Sequence, residues 1–134
     1  MDRLTWDDRF SVGIEELDGH HRRLAELINE LADNVNAPTR SEAVTDILSA
    51  LSDYAAYHFE REEALLHHQQ YPGLDDHVRE HNMFCEIVAD ACFQAACHSL
   101  NLQSLLDYLF GWWSDHILRV DYQYKAFLQG KDVS

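Results

Sequence analysis

Apolar residues recur along this chain in alternating steps of three and four, the spacing of helices that bury one face. The first run is Leu17, His21, Leu24, Ile28, Leu31 and Val35. It stops at Asn36-Ala37-Pro38-Thr39, where proline pushes the residue before it out of helical geometry. The second is Val44, Leu48, Leu51, Ala55, His58, Glu62 and Leu65, with Thr39 or Ser41 placed to cap it and Gln70-Tyr71-Pro72-Gly73 to end it. The third is Leu74, His77, His81, Phe84, Val88, Ala91 and Ala95. The fourth is Leu102, Leu105, Leu109, Trp112, His116 and Val120, continuing toward Tyr124 and Phe127 before Gly130 and a polar tail. These runs predict helices over about 17–36, 41–69, 74–97 and 102–128.

Long helices joined by short connections lie antiparallel, so the expected fold is all-α, an up-down-up-down antiparallel four-helix bundle. Residues 1–16 lack the period but carry Trp6, Phe10, Val12 and Ile14, which predicts an N-terminal arm packed across the bundle. At 134 residues the chain is expected to form one domain, 1–134, with no internal repeat.

The polar residues on the runs change the picture. His21, then His58 and Glu62, then His77 and His81, then His116 and Asp121 occupy four helices at positions that a packed bundle gives to leucine or valine. Burying such groups unpaired costs several kcal/mol each, and a bound metal satisfies all of them at once. A single core histidine is ordinarily a hydrogen-bonded structural residue. Seven such groups on four buried faces are not explained that way. His20, His67, His68 and His98 fall off the runs and are expected at the solvated surface.

Five imidazoles and two carboxylates, with no cysteine among them, select iron, manganese or zinc over calcium or magnesium. Seven donors exceed what one tetrahedral zinc takes, which points to two metals with the carboxylates as bridges. At roughly six positions per metal, five imidazoles and two bridges fill about nine of twelve, a bridging oxide or hydroxide two more, and one stays open. Residues four apart on a helix face one another, as His58 with Glu62 and His77 with His81 do. His116 and Asp121 are five apart, so either Asp121 reaches sideways or the helix widens locally into a π turn.

Composition narrows the partners. A net charge of -14 repels nucleic acid and anionic membrane surfaces, and no apolar stretch approaches the length of a membrane span, so neither nucleic-acid binding nor membrane insertion is expected. The acidic N-terminus has no signal pattern, which makes a cytoplasmic protein the expectation. Cys85, Cys92 and Cys97 are odd in number, without C-x-x-C spacing, and fit reduced thiols in small core or half-exposed positions.

Four segments, WDDRFSVGIEELDGHH, HFEREE, YPGLDDHVREH and WWSDHILRVD, resemble the hemerythrin family, and within it the bacterial single-domain hemerythrins, over essentially the full length. The resemblance implies two iron ions with an oxo or hydroxo bridge. His21, His58, His77, His81 and His116 would be imidazole ligands and Glu62 and Asp121 the bridging carboxylates. The family's usual glutamine-histidine pair assigns the ligand to His21, not His20. It also implies reversible binding of molecular oxygen at the one open iron position, inside an apolar wall that Leu24, Phe59, Trp112, Trp113 and Ile117 would form. Ferritin-like di-iron oxidases instead use several glutamates and E-x-x-H spacing, which is absent here, so a binder is expected, not an enzyme. The other readings are an oxygen or redox sensor whose site autoxidises, a weak peroxidase or nitric oxide scavenger, and a zinc or iron store. These 134 residues hold no output domain, which favours a free-standing protein if that is the natural length, while a chain cut from a longer one would look much the same; a signalling or reductase partner is not identified by the sequence.

Overall fold

A computed structural model describes residues 3–36 and 41–129. Within them the helices are α1 (Glu15–Ala32), α2 (Glu42–His68), α3 (Leu74–Ala96), α4 (Leu102–Asp115) and α5 (Tyr122–Leu128), with a π-helical segment, His116–Asp121, joining the last two into one rod. α1 packs on α2 and α4, and α2 on α3. The fold is a four-helix bundle whose core is the set of faces that the apolar runs mark. Among the described residues no helix is long and apolar enough to cross a membrane.

The ends of the helices follow local chemistry. Ser41 caps α2, its side chain accepting from the Val44 amide. The other proposed cap, Thr39, lies outside the described residues, as do Pro38 and Gly130. α1 starts at Glu15, two residues before the apolar run, without a polar cap at Ile14. Its start is held instead by Asp18, whose carboxylate accepts from the Val12 amide at 2.8 Å and the Ser11 hydroxyl at 2.6 Å. Gly13 makes this turn possible with φ of +82°, a left-handed conformation that a side chain would strain. α1 ends at Ala32, earlier than the run, because the next turn tightens to i→i+3 bonds, Asn34 to Leu31 and Val35 to Ala32.

Three core positions differ from the expected runs by one residue. At the end of α2 Leu66 is buried and Leu65 half-buried, in α4 Trp113 is buried and Trp112 half-buried, and in α5 Leu128 is buried and Phe127 half-buried. A strict three-four alternation drifts against a helix of 3.6 residues per turn, and the buried stripe takes the neighbouring residue.

The arm packs across the bundle. Leu4 and Asn29 exchange two hydrogen bonds, 2.8 and 2.9 Å, and Lys125 donates to the Ser11 carbonyl at 2.8 Å. Phe10, in a 3₁₀ turn at Asp8–Phe10, meets the Trp113 ring at 4.6 Å between centroids, and Trp6 meets it edge-on at 6.5 Å.

α2 and α3 close with the same device. Gln70 (φ 57°) and His98 (φ 61°) take the left-handed conformation, letting Tyr71 donate to Leu66 and Ser99 to Gln94 across the helix end. Both positions favour glycine. His98→Gly should therefore stabilise the fold by about 1 kcal/mol, read as a higher denaturant midpoint at unchanged slope.

Candidate metal centre

The bundle interior brings together all seven predicted residues. His21, His58, Glu62, His77, His81, His116 and Asp121 are each no more than 2% exposed. Two sets of donor atoms converge closely enough to hold a metal ion: His21, His58 and Glu62, and Glu62, His77, His81 and His116. Each carboxylate turns one oxygen toward each set. Glu62 Oε2 stands 3.4 Å from His58 Nε2 and 3.8 Å from His21 Nε2, while Oε1 stands 2.6 Å from His77 Nε2 and 3.1 Å from His81 Nε2. Asp121 Oδ2 lies 3.1 Å from His21 Nε2, and Oδ1 lies 3.1 Å from both His77 and His116 Nε2. Two imidazoles therefore face one side of the carboxylate pair and three the other.

The helix accommodates this through the π-helical segment His116–Asp121. Its i→i+5 bonding stacks residues five apart, so His116 and Asp121 meet on one face as a regular α-helix would not allow. Of the two sequence alternatives, the widening is the one the backbone takes.

His77 Nε2 pairs with Glu62 Oε1, but several of the other atoms approach without pairing. Both ring nitrogens of His21 and His116, Nε2 of His81 and both oxygens of Asp121 are buried with no hydrogen-bond partner among the described residues. Buried polar groups of natural proteins are rarely orphaned, and here the orphaned Nε2 atoms face the carboxylate oxygens. Lone pairs converging from imidazoles and carboxylates are the arrangement that a cation satisfies, so the residues fit a metal pair.

Charge says the same. Burial opposes ionisation of Glu62, but the imidazoles of His58, His21, His77 and His81 outweigh it and hold the carboxyl well below its ordinary range. Burial and the neighbouring Glu62 also oppose ionisation of Asp121, and His116 and His21 outweigh them. Burial pulls His21 and His77 down, yet Asp121 and Glu62 raise them to about 9 and about 10. Burial dominates at His58, which falls to about 3 and stays neutral. In the metal-free chain, protons on His21 and His77 stand where cationic charge is wanted.

Residues outside the seven hold several of them. Tyr124, fully buried, donates its hydroxyl to Glu62 Oε2 at 2.9 Å. Burial, with Asp121 and Glu62 near, pushes that phenol well above its usual range, so it keeps its proton. His81 Nδ1 is 2.7 Å from Glu63, and the Trp113 indole donates to the His21 carbonyl at 2.9 Å. His20 corrects the sequence reading: it is 5% exposed, with Nδ1 2.9 Å from His58 Nδ1. The buried stripe of a bundle helix is wider than its seam, and α1 buries residue 20 against α2 beneath Tyr54 and Tyr57. His67, His68 and His98 are exposed as expected, and the free Cys85 and Cys97 are exposed with Cys92 half-buried.

The expected apolar wall divides. Phe59 stacks on His81 with centroids 3.8 Å apart and 9° between planes, and lies 5.6 Å from the His58 ring. Trp112 stacks on His116 at 4.7 Å and 14°. Phe84, on the third apolar run but not expected in the wall, completes this cluster at 4.2 Å from Trp112. Leu24 and Ile117 are 1% exposed. Trp113 turns instead toward Trp6 and Phe10 of the arm.

Comparison with known proteins gives a consistent result. Residues 12–128 match the model of the hemerythrin HHE cation-binding domain. A bacteriohemerythrin of Clostridium acetobutylicum is 32% identical over 126 residues, covering 90% of this chain and 98% of that protein. A myohemerythrin of Theromyzon tessulatum is 29% identical, covering 92% of each. A wild-type hemerythrin crystal structure superposes with a TM-score of 0.85 at 26% identity, over 95% of this chain and 98% of that one.

A metal held by these residues would displace protons from His21 and His77, so loading the metal-free chain at pH 7 should release about two protons per chain. Titration in weakly buffered solution with a pH indicator measures it. The stability these two protons give the metal-free chain is full below pH 6.5 and is lost as pH rises through about 9 to 10.

Proposed function

The chain belongs to the hemerythrin family, and from that membership we propose that it is a non-haem di-iron protein that binds molecular oxygen reversibly, for carriage, storage or supply. The observation that carries this reading is the uneven division of donors. Two imidazoles, His21 and His58, face one side of the shared carboxylates, and His77, His81 and His116 face the other. His21 and His58 would hold one iron, the three other imidazoles the second, and Glu62 and Asp121 would bridge. The side served by two imidazoles is one donor short, which leaves a position for an outside ligand. Bound there as a ferrous pair, iron would supply the electrons that hold oxygen and take them back on release.

The chain's own residues decide whether such binding stays reversible. Phe59 beside His58, Leu24 one turn on from His21, and Ile117 beside His116 are buried and apolar, so they exclude water and donate no proton. The hydroxyl proton of Tyr124 is committed to Glu62 Oε2. That bond and the Glu63 contact to His81 hold donor atoms in place against the reorganisation a change of iron charge demands.

Iron analysis joined to visible spectra of the dithionite-reduced chain tests the proposal. Two irons per chain are expected, colourless when reduced, with a visible band that appears in air and disappears when oxygen is removed. Irreversible passage to the oxidised spectrum would sink reversible binding, and a colourless zinc protein would sink the di-iron reading. Phe59→Ala should open the apolar wall to water and hasten autoxidation of the oxygenated form at unchanged iron content, followed as decay of that band.

A further inference from the structure

His20 stands outside the seven-residue set, yet its Nδ1 is 2.9 Å from the Nδ1 of His58. Two neutral imidazoles that close share one proton, so one ring donates and the other accepts. The far end of His20 decides which. Its Nε2 faces a Glu16 carboxylate oxygen at 3.7 Å. That carboxylate is held in two hydrogen bonds by Arg61, at 2.8 and 3.1 Å. A carboxylate so placed repels a bare nitrogen lone pair and favours N–H, which makes Nε2 of His20 the protonated nitrogen and Nδ1 the acceptor. His58 must then donate from Nδ1 and leave its Nε2 bare. The bare Nε2 is 3.4 Å from Glu62 Oε2, so two electron-rich atoms face one another, an arrangement that a cation between them stabilises.

We propose that His20 is a positioning residue, accepting the Nδ1 proton of His58 so that Nε2 is kept unprotonated and aimed at the metal, with Glu16 and Arg61 fixing His20 from the surface. The inference rests on the di-iron reading. The surroundings support a fixed ring orientation, since Tyr54 and Tyr57 meet the His20 ring edge-on at 5.8 and 5.2 Å, and the ring is buried. A residue that only filled this space would be replaceable by leucine at no cost to metal binding.

The test compares the full chain with its His20→Gln and His20→Leu variants, each loaded anaerobically with ferrous iron. Iron loss to a chromogenic chelator is followed, and the metal-free forms are melted. The glutamine oxygen can accept the His58 proton and leucine cannot. His20→Gln should keep iron at close to the wild-type rate, and His20→Leu should lose it about tenfold faster or more, without a matching fall in the melting temperature of the metal-free chain. Equal retention in the leucine variant would overturn the proposal, as would loss that tracks melting temperature or a glutamine variant as leaky as leucine. Nitrogen-15 NMR of His58 in the metal-free chains reads the tautomer directly, with no iron present. A proton on Nδ1 that moves to Nε2 in His20→Leu supports the role, and the same tautomer in both overturns it. If the wild type takes up no iron, the di-iron reading fails and the NMR result alone decides the role of His20.

Discussion

Two buried carboxylates, Glu62 and Asp121, set the terms for the whole bundle. Both are fully buried, and an isolated charge in such an interior costs more than the entire stability margin of a domain this size. The fold answers by surrounding them with five imidazoles delivered from α1, α2, α3 and the π-helical segment. Those imidazoles repel one another if all are protonated and leave lone pairs unmet if none is. Protons on His21 and His77 are a partial answer, and cations shared between the carboxylates are a complete one. Metal binding and folding are in this sense one equilibrium.

The periphery is arranged to keep these groups where they are. Tyr124 holds Glu62, Glu63 faces His81, and His20 meets His58, so a carboxylate and two imidazoles are each oriented from behind. The arm contributes at one remove: Trp6 and Phe10 seat Trp113, and its indole holds the backbone carbonyl of His21. Arm packing and the geometry of the first imidazole are coupled through a single ring.

Much of this was legible in the sequence because burial and chemistry share the same periodicity. His58 with Glu62 and His77 with His81 announce themselves as polar residues on apolar runs, and the mismatch of His116 with Asp121 announced an irregular turn, though not its form. What lay off the runs was lost. His20 read as surface because a seam marks only the centre of a buried stripe; the tyrosines that cover it, Tyr54 and Tyr57, belong to another helix. Glu63 read as one acid among many, since only the fold brings it to His81. Trp112 and Trp113 could not be told apart by neighbourhood, and the structure gives one to the His116 ring and the other to the arm. The start of α1 was missed because Asp18 caps it from inside the helix, leaving no polar signal at Ile14.

On the proposed reading, two metal ions share the Glu62 and Asp121 carboxylates. Anomalous diffraction at the iron edge from crystals of the iron-loaded chain tests this directly. It should give two peaks flanking the Glu62 and Asp121 carboxylates, one within about 2.0 to 2.3 Å of the Nε2 atoms of His21 and His58, the other at like distance from those of His77, His81 and His116. A single peak, or iron bound away from these seven residues, would contradict it.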